Sequence, residues 1–168
     1  MSHPESSQPV KLGELYQEVI LDHNKKPRNY GPLDGATAEA RGHNRLCGDS
    51  YHLRLRVQDG VLSGIAFEGQ GCAISKASAS LMTTAVEGKS VEEVTRLKDA
   101  FLDLLLREKP ADGSRAAVGR LKLFEGVKQF PVRVKCATLI WRALEEALRG
   151  GPSAEVSTES GQGPTPSS

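Results

Sequence analysis

The 168 residues carry 22 basic against 21 acidic side chains, a net charge of +1, so no global field draws the chain to nucleic acid or to an anionic membrane. No apolar run reaches the roughly 18 residues of a membrane-spanning helix, and the N-terminus lacks the apolar stretch of a secretory signal, so a cytoplasmic protein is expected. The three cysteines, Cys47, Cys72 and Cys136, are an odd set for a reducing compartment and argue against a disulfide framework.

In chain order, residues 1–9 (MSHPESSQP) are polar and broken by prolines, and read as a disordered tail. Residues 11–23 read as a helix, with Leu12, Leu15, Tyr16, Val19 and Ile20 at helical spacing. Lys25, Lys26, Pro27 and Arg28 end it. A short strand is expected over 36–42. A better one covers 51–58, where Tyr51, Leu53, Leu55 and Val57 alternate with His52, Arg54, Arg56 and Gln58. Asp59-Gly60 is a hairpin signal, and 61–68 return as the partner strand.

Gly69-Gln70-Gly71 leads into Cys72 and a helix from about Ile74 to Glu87, with Gly88 past its end. Ser90-Val91-Glu92-Glu93 fits a capping box that opens a helix to about Arg107. Residues 115–127 form a weaker helical segment with Leu121, Phe124 and Val127 on one face. Phe130-Pro131 starts the last helix, about 132–149, whose apolar stripe runs through Val134, Ala137, Ile140, Trp141, Leu144 and Leu148. Residues 150–168 contain almost nothing that can be buried and read as a second disordered tail. What remains, residues 10–149, is one domain of α+β class. Two or three antiparallel strands form a small sheet, with several helices packed on one face.

Each cysteine falls at the end of an element, where remote segments can converge. Cys47-Gly48-Asp49 lies in the turn before the strand at 51, Cys72 at a strand–helix junction, and Cys136 in the first turns of the last helix. Cys47 and Asp49 can reach one ion if Gly48 takes a conformation open to glycine. Cys72 and Cys136 would then complete a set of three sulfurs and one oxygen, a set that suits tetrahedral Zn²⁺. Four anionic ligands against one dication leave a site of about −2, and Arg133 and Lys135, flanking Cys136, are the natural neighbouring cations. A carboxylate among the ligands fits a site built to exchange one of them. From spacing alone, plain burial of three small cysteines stays open beside metal binding and nucleophilic chemistry.

Other residues have plainer readings. His43 is a spare ligand or a solvated loop histidine. His52 points outward from its strand, and His23 caps or packs at the first helix end. Lys25, Lys26 and Arg28 are read as a solvated helix end, Trp141 as core, and Ser75, Ser78 and Ser80 as small residues for helix packing.

Four ordered segments, LYQEVILDHNKKPRNYG (15–31), LCGD (46–49), FEGQGCAISKASASLM (67–82) and FPVRVKCATLIW (130–141), hold every cysteine. Together they resemble the U-type iron–sulfur cluster assembly proteins, the family that contains IscU and SufU, over residues 12–148. The 63 residues between Cys72 and Cys136 exceed the scaffold-type connection. FPVRVKC replaces the LPPVK motif, and Lys135 stands where that branch has histidine, so the chain is similar to the SufU branch. The resemblance implies a SufE/NifU-like fold and zinc held by Cys47, Asp49, Cys72 and Cys136. It also implies a sulfurtransferase role, in which Cys47 accepts persulfide sulfur from a SufS-type cysteine desulfurase and passes it to downstream iron–sulfur assembly proteins. In that branch Cys47 leaves zinc when a partner histidine replaces it, and Arg133 is tied to partner contact and to the displaced ligand. Arg45 departs from the family's proline before LCGD. Two alternatives stand beside this function, a cluster scaffold and a non-catalytic zinc adaptor.

Overall fold

The computed structural model describes residues 12–150 and the backbone of residues 154–157; the reading of residues 1–9 as a tail lies outside the described residues. The order is α1 (Leu12–Lys25), β1 (Ala38–Asn44), β2 (Asp49–Gln58), β3 (Val61–Gln70), α2 (Ala73–Val86), α3 (Val91–Leu106), α4 (Ser114–Val118), a 3-10 helix (Gly119–Val127), α5 (Pro131–Gly150) and β4 (Ala154–Ser157). The α+β class and the antiparallel trio of strands agree with expectation.

Alternation decides which way the sheet faces. Tyr51, Leu53 and Leu55 of β2 are buried, while the neighbours between them reach the other face. That outer face carries polar pairs, His52 hydrogen-bonded with Glu39 and Arg54 ion-paired with Glu68. The turn from β2 to β3 places Asp59 at φ 52 and Gly60 at φ 77, the two left-handed residues that a tight hairpin turn requires. β2 pairs antiparallel with both neighbours, Leu53 facing Ala40 of β1 and Phe67 of β3.

The helices cover the apolar face. α5 lies on β1 and β2, and α2 packs between α1 and α5. At the centre Trp141 is fully buried and stacks on Phe101 of α3 with ring centroids 4.4 Å apart. Its indole N–H donates to Ser78 Oγ at 3.2 Å, and that hydroxyl donates to the Ala137 carbonyl at 2.6 Å. The core reading of Trp141 and the packing reading of Ser78 therefore agree with the structure. The capping box at Ser90 forms as expected, with Ser90 and Glu93 bonded reciprocally. His23 packs rather than caps, buried with Nδ1 2.7 Å from Ser80 Oγ. Arg28 pairs with Asp22 at 2.7 Å at an open helix end.

Three expectations are corrected. β1 ends at Asn44 rather than 42, so a four-residue turn, 45–48, joins it directly to β2. The segment 115–127 is not one helix: Gly119, at φ 58 and ψ −129, breaks α4, and the chain continues as 3-10 helix. Three residues per turn suit the spacing of Leu121, Phe124 and Val127, all buried. Finally, Ala154–Ser157, inside the expected 150–168 tail, forms β4. It pairs parallel with β1, Gly42 opposite Val156, and completes the order β3-β2-β1-β4. β1 would otherwise end the sheet with a row of unpaired backbone groups, and a short extended segment following α5 satisfies them.

Candidate metal centre

Four element ends bring the predicted residues together. Cys47 sits in the β1–β2 turn, where its N–H donates to the Asn44 carbonyl at 3.2 Å. Gly48 takes φ 71, the left-handed conformation that lets the chain turn between Cys47 and Asp49. Asp49 is the first residue of β2 and is 2% exposed. Cys72 is the N-cap of α2, and Cys136 lies in the second turn of α5, 2% exposed.

Cys47 Sγ and Cys136 Sγ are 3.0 Å apart, well beyond the roughly 2.05 Å of a disulfide bond. One carboxylate oxygen of Asp49 joins them, all three ligand atoms lying within 4.8 Å of one another. Cys72 borders this trio rather than standing inside it. Its backbone N–H donates to Asp49 Oδ1 at 2.8 Å, and its sulfur accepts the Ser75 N–H at 3.5 Å. Interaction with the neighbouring Cys136 side chain holds the Cys72 thiol down at about 6, against the opposing effect of burial. The same interaction pushes the Cys136 thiol well up, and burial and Cys47 add to the shift.

The donor set fits a thiophilic divalent cation. Asp49 Oδ1 is committed to the Cys72 amide, but Oδ2 is buried without any protein donor. An uncompensated buried carboxylate oxygen is costly, and a cation beside two thiolates satisfies it. Three sulfurs and one oxygen are ligands that zinc accepts.

The walls of the site are as constrained as its ligands. A methyl group at Gly71 would lie 2.5 Å from Asp49 Oδ1, 2.6 Å from Ser75 Oγ and 2.7 Å from the Tyr51 hydroxyl. Only glycine admits the carboxylate there. Ser75 Oγ donates to the Cys72 carbonyl at 3.1 Å and lies 2.9 Å from Tyr51 Oη, so Ser75 supports the site besides packing its helix.

The flanking residues divide by exposure. Arg133 is exposed one helical turn before Cys136, with its guanidinium carbon 4.6 Å from the Phe130 ring centroid. Lys135 is half-buried. Leu46, beside Cys47, is 68% exposed, and Phe130 and Val132 are also exposed. His43 stays outside the trio: on β1 it points to the face opposite Asn44, where it borders Arg41, His52 and Glu68.

Two polar groups escaped the sequence reading. Tyr16 belongs to the expected apolar stripe of α1, yet its hydroxyl is buried without a partner. Burial raises the phenol's pKa, Arg133 opposes that shift, and the charges on Cys72 and Cys136 add to it. Asn44 is fully buried with Nδ2 3.8 Å from Cys136 Sγ. The signal available for Asn44 was its position three residues before Cys47, at the end of a strand.

The family model described as NifU-like N terminal domain matches residues 15–137. An iron–sulfur cluster assembly scaffold protein IscU of Streptococcus pyogenes serotype M1 is 42% identical over 150 residues, covering 89% of this chain and 92% of the relative. A zinc-dependent sulfurtransferase SufU of Bacillus subtilis strain 168 is 40% identical over 139 residues, covering 83% and 92%. Among solved structures, a putative iron–sulfur cluster assembly scaffold protein for the SUF system from Fervidobacterium islandicum AW-1 superposes with a TM-score of 0.69 at 30% identity, covering 81% of this chain and 98% of its own. No helix among the described residues is long and apolar enough to cross a membrane.

Proposed function

The chain belongs to the NifU-like N-terminal domain family of iron–sulfur cluster assembly proteins, and on that premise we propose that it is a zinc-dependent sulfurtransferase that accepts persulfide sulfur from a SufS-type cysteine desulfurase. The observation that carries the reading is the meeting of Cys47, Asp49 and Cys136 within 4.8 Å, with Asp49 Oδ2 buried and unpaired. Zinc would be held by Cys47, Asp49, Cys72 and Cys136. When bound, it keeps the sulfurs as thiolates near neutral pH. The resemblance of the chain to the Bacillus subtilis protein, whose name states zinc dependence, supports the same assignment.

Exposure and position support the division of roles. Cys136 is 2% exposed, while Cys47 and Cys72 are both half-buried. Of these two, Cys72 caps α2 and accepts the Ser75 N–H, whereas Cys47 lies on a surface turn beside the exposed Leu46, which favours Cys47 as the sulfur that a partner meets. Its thiolate attacks the terminal sulfur of the desulfurase persulfide. A sulfur–sulfur bond forms to Cys47 while the bond to the desulfurase cysteine breaks, and the electron pair leaves with that cysteine as thiolate. The reaction has no net change in oxidation state and needs no further reactant. Arg133, exposed at the mouth, offers its guanidinium to an anionic group on the partner. The exposed Leu46, Phe130 and Val132 give the same rim an apolar contact surface. Sulfur would pass from Cys47 to downstream assembly proteins in the cytoplasm.

The test is activation of a cognate desulfurase by the zinc-loaded protein, with mass spectrometry of the Cys47 peptide. Cys47→Ser should abolish stimulation and the added sulfur. Arg133→Ala should weaken stimulation while leaving zinc stoichiometry unchanged. Full stimulation by Cys47→Ser would remove Cys47 from the mechanism.

A second reading, a scaffold on which a cluster is built, is favoured by the Streptococcus pyogenes relative, which is named as a scaffold. Cysteine thiolates are ordinary cluster ligands. Anaerobic reconstitution separates the two: a stable, transferable cluster that displaces zinc supports the scaffold, and failure to hold one supports sulfur transfer.

A further inference from the structure

Asn44 is a buried amide where packing alone would call for an apolar side chain. It is 0% exposed and its Oδ1 has no hydrogen-bond partner, a costly arrangement for an amide removed from water. Its other atoms account for its presence. The backbone carbonyl accepts the Cys47 N–H at 3.2 Å. In the β1–β2 ladder Asn44 stands opposite Asp49. Its side-chain Nδ2 reaches Cys136 Sγ at 3.8 Å across 92 residues of chain. One residue therefore ties the turn bearing Cys47 and Asp49 to the helix bearing Cys136.

We propose that Asn44 is a positioning residue for the metal centre, donating an N–H···S hydrogen bond that fixes the Cys136 sulfur as the anchored ligand. The proposal rests on the metal-binding reading given above. The chemistry is directional: an amide N–H needs an acceptor, and a sulfur is a far better acceptor as thiolate than as thiol. A donated hydrogen bond draws charge from the Cys136 sulfur and holds its side chain in one orientation, as partners of metal ligands generally do. It thereby sets Cys136 apart from Cys47, a pair that the metal alone would leave alike. Cys136 becomes the sulfur that stays, and the half-buried Cys47 the one that reacts. Asp at this position would have the same shape without the donor, and would set a carboxylate against the thiolate.

The full-length protein supplies the test. Loaded with the NMR-active isotope of cadmium, the wild type should show a coupling between the metal and one Asn side-chain amide proton, transmitted through the sulfur and assigned to Asn44. A purely structural asparagine would not produce that coupling. Zinc affinity, measured by chelator competition, should fall by about 10- to 100-fold in Asn44→Ala and Asn44→Asp. The thiolate charge-transfer band of the cobalt-substituted protein should shift in both variants. A wild type that binds metal with no such coupling overturns the role of Asn44, even if the variants fold poorly, and so do variants of unchanged affinity and spectrum. A wild type that binds neither zinc nor cadmium overturns the metal-binding reading and the proposal with it.

Discussion

Asp49→Asn should change stability in opposite directions with and without zinc. The side chain is 2% exposed, Oδ1 accepts the Cys72 N–H at 2.8 Å, and Oδ2 has no donor. Asparagine keeps the acceptor for Cys72 and replaces the orphaned oxygen with an amide whose N–H groups face the neighbouring sulfurs, which can accept them. In the metal-free protein this removes an unsatisfied buried charged oxygen, a gain of about 1–3 kcal/mol. For a domain of this size each kcal/mol moves the melting temperature by roughly 2–4 °C. In the zinc-loaded protein the same change removes an anionic ligand. A hundredfold loss of affinity would subtract about 2.7 kcal/mol of ligand stabilisation at fixed excess zinc, enough to cancel or reverse the gain. The assay is thermal or urea unfolding of wild type and variant, once with a strong chelator and once with excess zinc. Equal shifts of the same sign in both conditions would refute the reasoning, because Asp49 would then act as a hydrogen-bond acceptor and not as a ligand.

Gly71→Ala should damage the site without touching a ligand. The added carbon would press on Asp49 Oδ1, Ser75 Oγ and Tyr51 Oη at 2.5–2.7 Å. A loss of about 1–3 kcal/mol is expected from overpacking, with weakened zinc binding by chelator competition; wild-type affinity would show that the carboxylate can move aside. His23, whose pKa is held below its ordinary value by burial and then by Arg28, makes stability pH-dependent. Below about pH 6.5 the unfolded chain binds a proton that the folded histidine resists, so stability falls as the pH drops. His23→Gln should flatten the decline in urea midpoint between pH 7 and pH 5, and an unchanged slope would assign the decline to other groups.

The parts of the fold that could be read in advance were those where one local rule decides the outcome. Alternation along Tyr51–Gln58 marks a strand with one wet face, Asp59-Gly60 admits the two left-handed residues of a tight turn, and Ser90 with Glu93 caps α3. β4 was not legible because nothing within Ala154–Ser157 distinguishes it from a polar tail. Its partner is the open edge of β1, more than a hundred residues away in sequence. The division of 114–127 into α4 and 3-10 helix turns on one backbone angle pair at Gly119, which helical periodicity cannot report. At the site, residue type and position at element ends pointed to the four ligand candidates. Asn44 and Tyr16 were invisible for the opposite reason: Asn44 lies beyond the expected strand 36–42, Tyr16 fits an apolar stripe, and the burial of their polar atoms emerges only in the packed fold.

The geometry of the candidate ligands therefore depends on strand register as much as on the identity of the cysteines. Asn44 and Asp49 face each other as the last rung before the turn that carries Cys47. Both are buried on the helix-covered side, while His43 and Ser50, one residue outward on each strand, are not. Because side chains along a strand alternate with a period of two, a slip of one residue would carry Asp49 to the opposite face and leave Cys136 without its partners. The register is pinned well away from the site, by Leu53 and Leu55 packed in the core with no exposure and by the hairpin at Asp59-Gly60. The hydrophobic pattern of β2 thus does two tasks: it buries the sheet against the helices, and it delivers a carboxylate to within 4.8 Å of two sulfurs from distant parts of the chain.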